Sequence, residues 1–161
     1  MRAIGYLLYL ILIAFHEVIL RGGTSIAGVS INLPAIIVFT VALYRSEAEA
    51  VWFALIAAMV MSAGAPLTMG YQVLTMVFIS LAIYHAREQL NVEALVTRLA
   101  MLIAGVFLHN VLTLAISRPT DFFYQLWRFS LTGTIYTGAV AYLVYTVIID
   151  RFSTRRSRTA F

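Results

Sequence analysis

Residues Leu95–Ile116 read LVTRLAMLIAGVFLHNVLTLAI, and Arg98 is the only charge among them. At about 1.5 Å of rise per residue such a helix is roughly 33 Å long, which matches the ~30 Å hydrocarbon core of a bilayer. In lipid a single segment can satisfy its own backbone only as a helix, so this stretch predicts a transmembrane span. Comparable runs stand at Ile4–Ile13, Tyr71–Tyr84 and Ile135–Ile149. Hydrophobic residues make up 62% of the 161-residue chain and charged residues 11%, against roughly 45–50% and 25% in soluble domains. Such a balance leaves too little polar surface for water, and lipid is the expected solvent.

Reading outward from that stretch gives six spans: Ala3–Leu20, Ile31–Tyr44, Ala50–Ala65, Tyr71–Ala86, Leu95–Ile116 and Leu126–Ile149. The fold class expected is an all-α integral membrane protein, a compact bundle of six short transmembrane helices. Residues 1–150 form the bundle and 151–161 a basic tail. The second span opens on Asn32 and Pro34, and a proline fits a first helical turn, where its missing N–H would have no partner. Gly22, Gly23 and Gly28 mark the loop before it. Arg45, Glu47 and Glu49 read as a break before the third span, and Arg87–Glu93 as a break after the fourth. The first run lacks an A-x-A cleavage pattern and is read as a retained helix rather than a signal peptide.

All eleven basic residues are arginine. With a cytoplasmic N-terminus, that side holds Arg2, Arg45, Arg87, Arg98, Arg151, Arg155, Arg156 and Arg158; the opposite side holds Arg21, Arg118 and Arg128. The asymmetry predicts both termini inside. The tail arginines Arg151, Arg155, Arg156 and Arg158 suit anionic lipid or a cytoplasmic partner. Trp52, Trp127, Tyr44, Tyr71, Tyr84 and Tyr124 lie near span ends and read as interfacial anchors.

Lipid tails give helices little hydrophobic reason to associate, so close packing and buried hydrogen bonds must hold the bundle together. The third span carries Ala50, Ala54, Ala58 and Ser62 on one stripe. The sixth carries Gly133, Thr137 and Ala141, with Ser130, Thr134 and Gly138 beside it. Such a stripe serves either contact between helices of this chain or a seam for a partner's helix, and sequence leaves both open. His109 and Asn110 are the deepest polar pair and are expected to hydrogen-bond between helices, at roughly 0.6–2 kcal/mol per bond. His16 and Glu17 sit near the outer end of the first span, with Arg21 in i, i+4 register to pair with Glu17.

Cysteine is absent, which excludes disulfides, thiolate metal sites and a cysteine nucleophile. No G-x-S-x-G, H-E-x-x-H, paired intramembrane aspartates or glycine-rich phosphate loop occurs, and no cofactor, metal or catalytic residue is expected. Ser62 is the nearest approach to a nucleophile and lacks any flanking motif.

The order of these features resembles the MreD family, the small integral membrane component of the bacterial rod-shape system (the elongasome). The resemblance rests on the length, the six short spans and Asn32-Leu33-Pro34-Ala35-Ile36-Ile37 at the second span. It extends to the basic break Tyr44-Arg45-Ser46 and the small-residue turn Ser62-Ala63-Gly64-Ala65-Pro66-Leu67-Thr68-Met69-Gly70. Arg118-Pro119, Phe122-Phe123 and the basic tail complete it. Family members usually carry an aspartate eight residues before the turn glycine, where this chain has Ser62. The resemblance implies a non-enzymatic scaffold of peptidoglycan synthesis and cell-shape control in the bacterial cytoplasmic membrane. It would bind the single-span protein MreC, and through it couple the MreB filament to the RodA glycosyltransferase and its partner transpeptidase. A second resemblance is to the substrate-binding subunit of energy-coupling-factor vitamin transporters. That reading calls for an A-x-x-x-A stripe on the first helix, and the first span has only Ala3 and Ala14.

Overall fold

The computed structural model describes residues 2–23, 25, 29–90, 94–117 and 120–157, and no β-strand occurs among them. The expectation of an all-helical chain holds. Six long helices follow in order: α1 (Arg2–Phe15), α2 (Leu33–Tyr44), α3 (Glu47–Met61), α4 (Met69–Gln89), α5 (Leu95–Ser117) and α6 (Thr132–Ser157). α1 continues into a π-helical turn, His16–Leu20, and a final turn Arg21–Gly23. A 3-10 turn, Pro66–Thr68, leads into α4. A short helix, Phe122–Gln125, and a π-helical segment, Leu126–Leu131, lead into α6.

Two stretches, Pro66–Gln89 and Leu95–Ser117, are long and apolar enough to cross a membrane, while Ile4–Leu20 and Leu33–Tyr44 are shorter apolar helices. α2 has 12 residues and so rises only about 18 Å. It is apolar on every face, and Pro34, Ala35, Ile36, Val38, Phe39, Val41, Ala42 and Leu43 are all buried. A helix apolar all round is a core helix, and α2 packs against α3, α4 and α5 and more lightly against α1 and α6. The span read from sequence as Ile31–Tyr44 is the central post of the structure.

Local chemistry sets the ends of these helices. The Asn32 side chain caps α2, its Oδ1 accepting from Ala35 N at 3.2 Å. Ser46 caps α3, its Oγ accepting from Glu49 N at 3.4 Å. Ser46-Glu47-Ala48-Glu49 has the S-x-x-E spacing of a capping box, so Glu47 and Glu49 begin the third helix rather than interrupt the chain before it. α6 runs on to Ser157, past the Ile149 boundary read from sequence and into the segment read as tail.

Small residues set the helix spacing. Ala50, Ala54, Ala57 and Ala58 are fully buried on α3, which is the element α4 packs against most extensively. On α5, a Cβ added at Gly105 would meet Ile83 Cδ1 at 2.7 Å and Phe39 Cδ2 at 3.0 Å. Three helices converge at that glycine. At Gly138 a Cβ would meet Ile103 Cδ1 at 3.2 Å, the close approach of α5 and α6. Tyr6 and Tyr9 of α1 lie against Phe53 of α3, ring centroids 5.6 and 6.3 Å apart.

Candidate functional site

Neutral hydrogen bonds join α2, α5 and α6 near one end of the bundle. Asn32 Nδ2 donates to Asn110 Oδ1 at 3.1 Å, Asn110 Nδ2 donates to Thr134 Oγ1 at 3.4 Å, and the Thr134 hydroxyl donates to Ser130 O at 2.7 Å. The Asn32 backbone N–H donates to Thr137 Oγ1 at 3.1 Å. Each orientation is fixed by the one before it. Asn32 Oδ1 is committed to the cap, so its amide nitrogen must face Asn110, and the Asn110 nitrogen is left for Thr134. A chain of this kind polarises along its length and is stronger in a low dielectric than in water.

Asn110 bonds between helices as the sequence indicated. His109 does not: it is 4% exposed, and its Nδ1 has no hydrogen-bond partner among the described residues. The imidazole borders a cavity of about 280 Å³ together with His16, Glu17, Asn32, Gln72 and Asn110. His16 Nδ1 lies 3.7 Å from Glu17 Oε1. The Arg21 side chain lies outside the described residues, and with it the expected Glu17–Arg21 pair. Thr113, Ser117 and Ser130 also border the cavity, and Thr113 Oγ1 is buried without a hydrogen-bond partner.

The small-residue stripes are occupied inside the chain. Ala50, Ala54, Ala58 and Ser62 of α3 are buried, as are Ser130, Gly133, Thr134, Thr137, Gly138 and Ala141 leading into and along α6. Of the two uses left open by the sequence, the structure assigns them contact between helices of the same chain. The Ser62 hydroxyl lies 2.7 Å from Ala58 O and 2.6 Å from Gln72 Oε1, tying α3 to α4 close to the cavity.

A second, apolar groove runs over α2. α1 walls it with Tyr9 and Leu12, α6 walls it with Val140 and Val144, and Ile36, Ile37 and Val41 form the floor. Its volume is about 570 Å³. Thr40 Oγ1 and Tyr145 OH, 3.3 Å apart, are the polar pair within it, and Tyr44 and Arg45 close one end.

That closed end belongs to an arginine cluster. Arg87 donates to Ala42 O at 3.2 Å and Leu43 O at 3.0 Å, capping the last turn of α2, and its guanidinium lies 4.2 Å over the Tyr84 ring. Arg98 donates to Tyr44 OH at 3.1 Å. His85 Nε2 lies 4.0 Å from Glu47 Oε1. Arg128 stands apart with Tyr124, to whose hydroxyl it donates. Trp52 and Trp127 are largely exposed. The backbone at Arg151, Arg155 and Arg156 is helical; their side chains, like Gly28, Glu93, Arg118, Pro119 and Arg158, lie outside the described residues.

Sequence reasoning missed Asn32 as the hub of the polar chain, Gln72 as the partner of Ser62, Gly105 as the tightest crossing, and the groove. Asn32 was read only as the start of the second span; its partner stands 78 positions away, and nothing in a single sequence pairs the two. Comparison with family models, curated proteins and solved structures returned no match.

Proposed function

We propose that this chain is a non-catalytic membrane scaffold of the rod-shape type, whose groove over α2 grips the transmembrane helix of a single-span partner. The groove is the observation that carries this reading. Its floor and walls are largely apolar, broken by the Thr40–Tyr145 pair within it and by Tyr44 and Arg45 at one end. An apolar helix laid between α1 and α6 would cover α2 at the ~8–10 Å spacing of packed helices. With the small-residue stripes already spent on internal packing, the groove is a concave apolar surface still open to a partner.

In this proposal the six helices all cross the bacterial cytoplasmic membrane, with both termini and the arginine cluster facing the cytoplasm. α2 is too short to cross by itself, but the non-helical Val29–Asn32 segment that borders the polar cavity completes its path. Non-helical backbone is tolerated at membrane depth where it lines a cavity or is buried in protein. The partner is an MreC-type protein, and through it the scaffold couples the MreB filament to RodA and its transpeptidase. The tail arginines hold the inner face to anionic lipid, at about 1 kcal/mol per residue.

Affinity purification in mild detergent, with the chain and an MreC-type partner expressed together, tests the reading. Val140→Trp and Ile37→Trp fill the groove from a wall and from the floor. The expected result is about tenfold less partner recovered, equivalent to ~1.4 kcal/mol, with an unchanged unfolding midpoint. Undiminished recovery from both variants removes the groove from the interface. Recovery of an ATPase pair in place of the single-span partner overturns the scaffold reading in favour of a transporter subunit.

A further inference from the structure

We infer that the helix taken by the groove over α2 carries hydrogen-bond acceptors at two points: an amide side chain set against Thr40 and Tyr145, and a carboxylate about five residues along it, beside Arg45. The inference rests on the scaffold reading and names the partner chemistry that reading leaves unspecified.

Apolar surface by itself does not select a partner in lipid, because acyl chains compete for it on nearly equal terms with a helix. Selectivity has to come from the polar groups of the groove. Thr40 Oγ1 of α2 and Tyr145 OH of α6 lie 3.3 Å apart within it. Tyr145 also interacts with the Tyr44 side chain, and the Tyr44 hydroxyl accepts from Arg98 at 3.1 Å. Thr40, Tyr44 and Tyr145 all line the groove, so a run of three hydroxyls follows its floor toward the arginine end.

Counting hydrogens shows what that run lacks. Three hydroxyls own three hydrogens, and two links between them use two, so one is left over. Other helical hydroxyls dispose of theirs within their own helix: Ser62, Ser117, Thr134 and Thr146 each donate to the carbonyl four residues back. Thr40 makes no such bond among the described residues, and its partner is Tyr145, 105 positions on. Arg98, by donating to Tyr44, strengthens Tyr44 as a donor and polarises the run toward Thr40. Whichever way the hydrogens point, the spare one sits on a hydroxyl that lines the groove. A donor left against hydrocarbon is costly, and an acceptor on the occupant removes that cost.

Charge sets the second point. Arg45 is exposed at the end of α2 and makes no ion pair among the described residues, and no carboxylate is among the described lining residues of the groove. It stands five residues beyond Thr40, about 7.5 Å along a helix axis. A helix laid along α2 covers the same distance with five residues of its own. A carboxylate there would complement the guanidinium with charge-assisted hydrogen bonds, whereas a basic residue would be repelled and the wrong helix rejected.

The probes are biotinylated helical peptides of about 20 leucines and alanines: one wholly apolar, one with a central asparagine, and two that add a glutamate five residues before or after it. Each is mixed with the full-length protein in mild detergent and recovered on streptavidin. The asparagine peptide is expected to retain about fivefold more protein than the apolar one, the size of one interhelical hydrogen bond in a membrane. Thr40→Val combined with Tyr145→Phe keeps the shape and removes both hydroxyls; it should abolish that difference at an unchanged unfolding midpoint. If the double variant does not fold, Tyr145→Phe alone should reduce the difference about twofold. The glutamate peptide whose acid falls at Arg45 should retain about threefold more again, and Arg45→Gln should remove that gain. Equal recovery by the apolar and asparagine peptides, both lost from Val140→Trp, overturns the inference while leaving the groove a helix site. An asparagine preference that survives loss of both hydroxyls overturns it too, as does a glutamate gain indifferent to Arg45→Gln. Recovery by none of the peptides also overturns it, and the scaffold reading then stands or falls on capture of the single-span partner alone.

Discussion

At the end of the bundle where α2 finishes, Arg87 reaches across to the Ala42 and Leu43 carbonyls and Arg98 to the Tyr44 hydroxyl. At the end where α2 begins, Asn32, Asn110 and Thr134 bond in series with no ionic group among them, beside a cavity that His109 and Thr113 border. The first end uses long side chains whose apolar stems can be buried while their charges stay within reach of solvent. The second uses short neutral groups that hold only when each finds its partner, because a stranded amide in a low dielectric recovers nothing from solvent. One end is adaptable and tolerant; the other is all-or-none and specific.

Substitutions can break or sharpen this contrast. The largest effect is expected from Asn110→Leu, which strands the Asn32 amide and removes the donor to Thr134; it should cost about 3 kcal/mol in a denaturing-detergent titration. A cost below that of Arg87→Met would reverse the ranking of the two ends. Gly105→Val, midway between them, should cost about 2 kcal/mol by overpacking, since the added Cβ already lies 2.7 Å from Ile83. A tolerated valine would mean that α5 can slide away from α2. Arg87→Met should cost only about 1 kcal/mol, because water at the helix end can take over the Ala42 and Leu43 carbonyls; the same titration reads it. The smallest change is expected from His109→Leu, within about 0.5 kcal/mol of the parent, as its Nδ1 makes no bond to lose. Destabilisation as large as that of Asn110→Leu would show that His109 shares the structural load.

Much of this was legible beforehand, and the failures have particular causes. The apolar runs located the six helices, with α5 matching Leu95–Ile116 to one residue. Asn110 was recognised as an interhelical donor because a neutral amide at that depth has few other options. Arg45, Glu47 and Glu49 read as a break because charges interrupt the apolar pattern, although Ser46-Glu47-Ala48-Glu49 also has the S-x-x-E spacing of a helix start. The π-turns at His16–Leu20 and Leu126–Leu131 left no mark in the apolar pattern, because an inserted residue shifts the helical phase without changing composition.

Sequence alone determined what each segment is: helical, apolar and ended by arginine, tyrosine or a capping side chain. Those properties depend on neighbours a few positions apart and on the cost of exposing backbone to lipid. Only the tertiary structure decided which helix stands at the centre, which small-residue stripe is buried, and which amide meets Asn32. In lipid an outward face is as apolar as an inward one, so hydrophobicity cannot tell the core from the periphery. Close fit between distant side chains, as at Gly105 with Ile83 and Phe39, makes that choice.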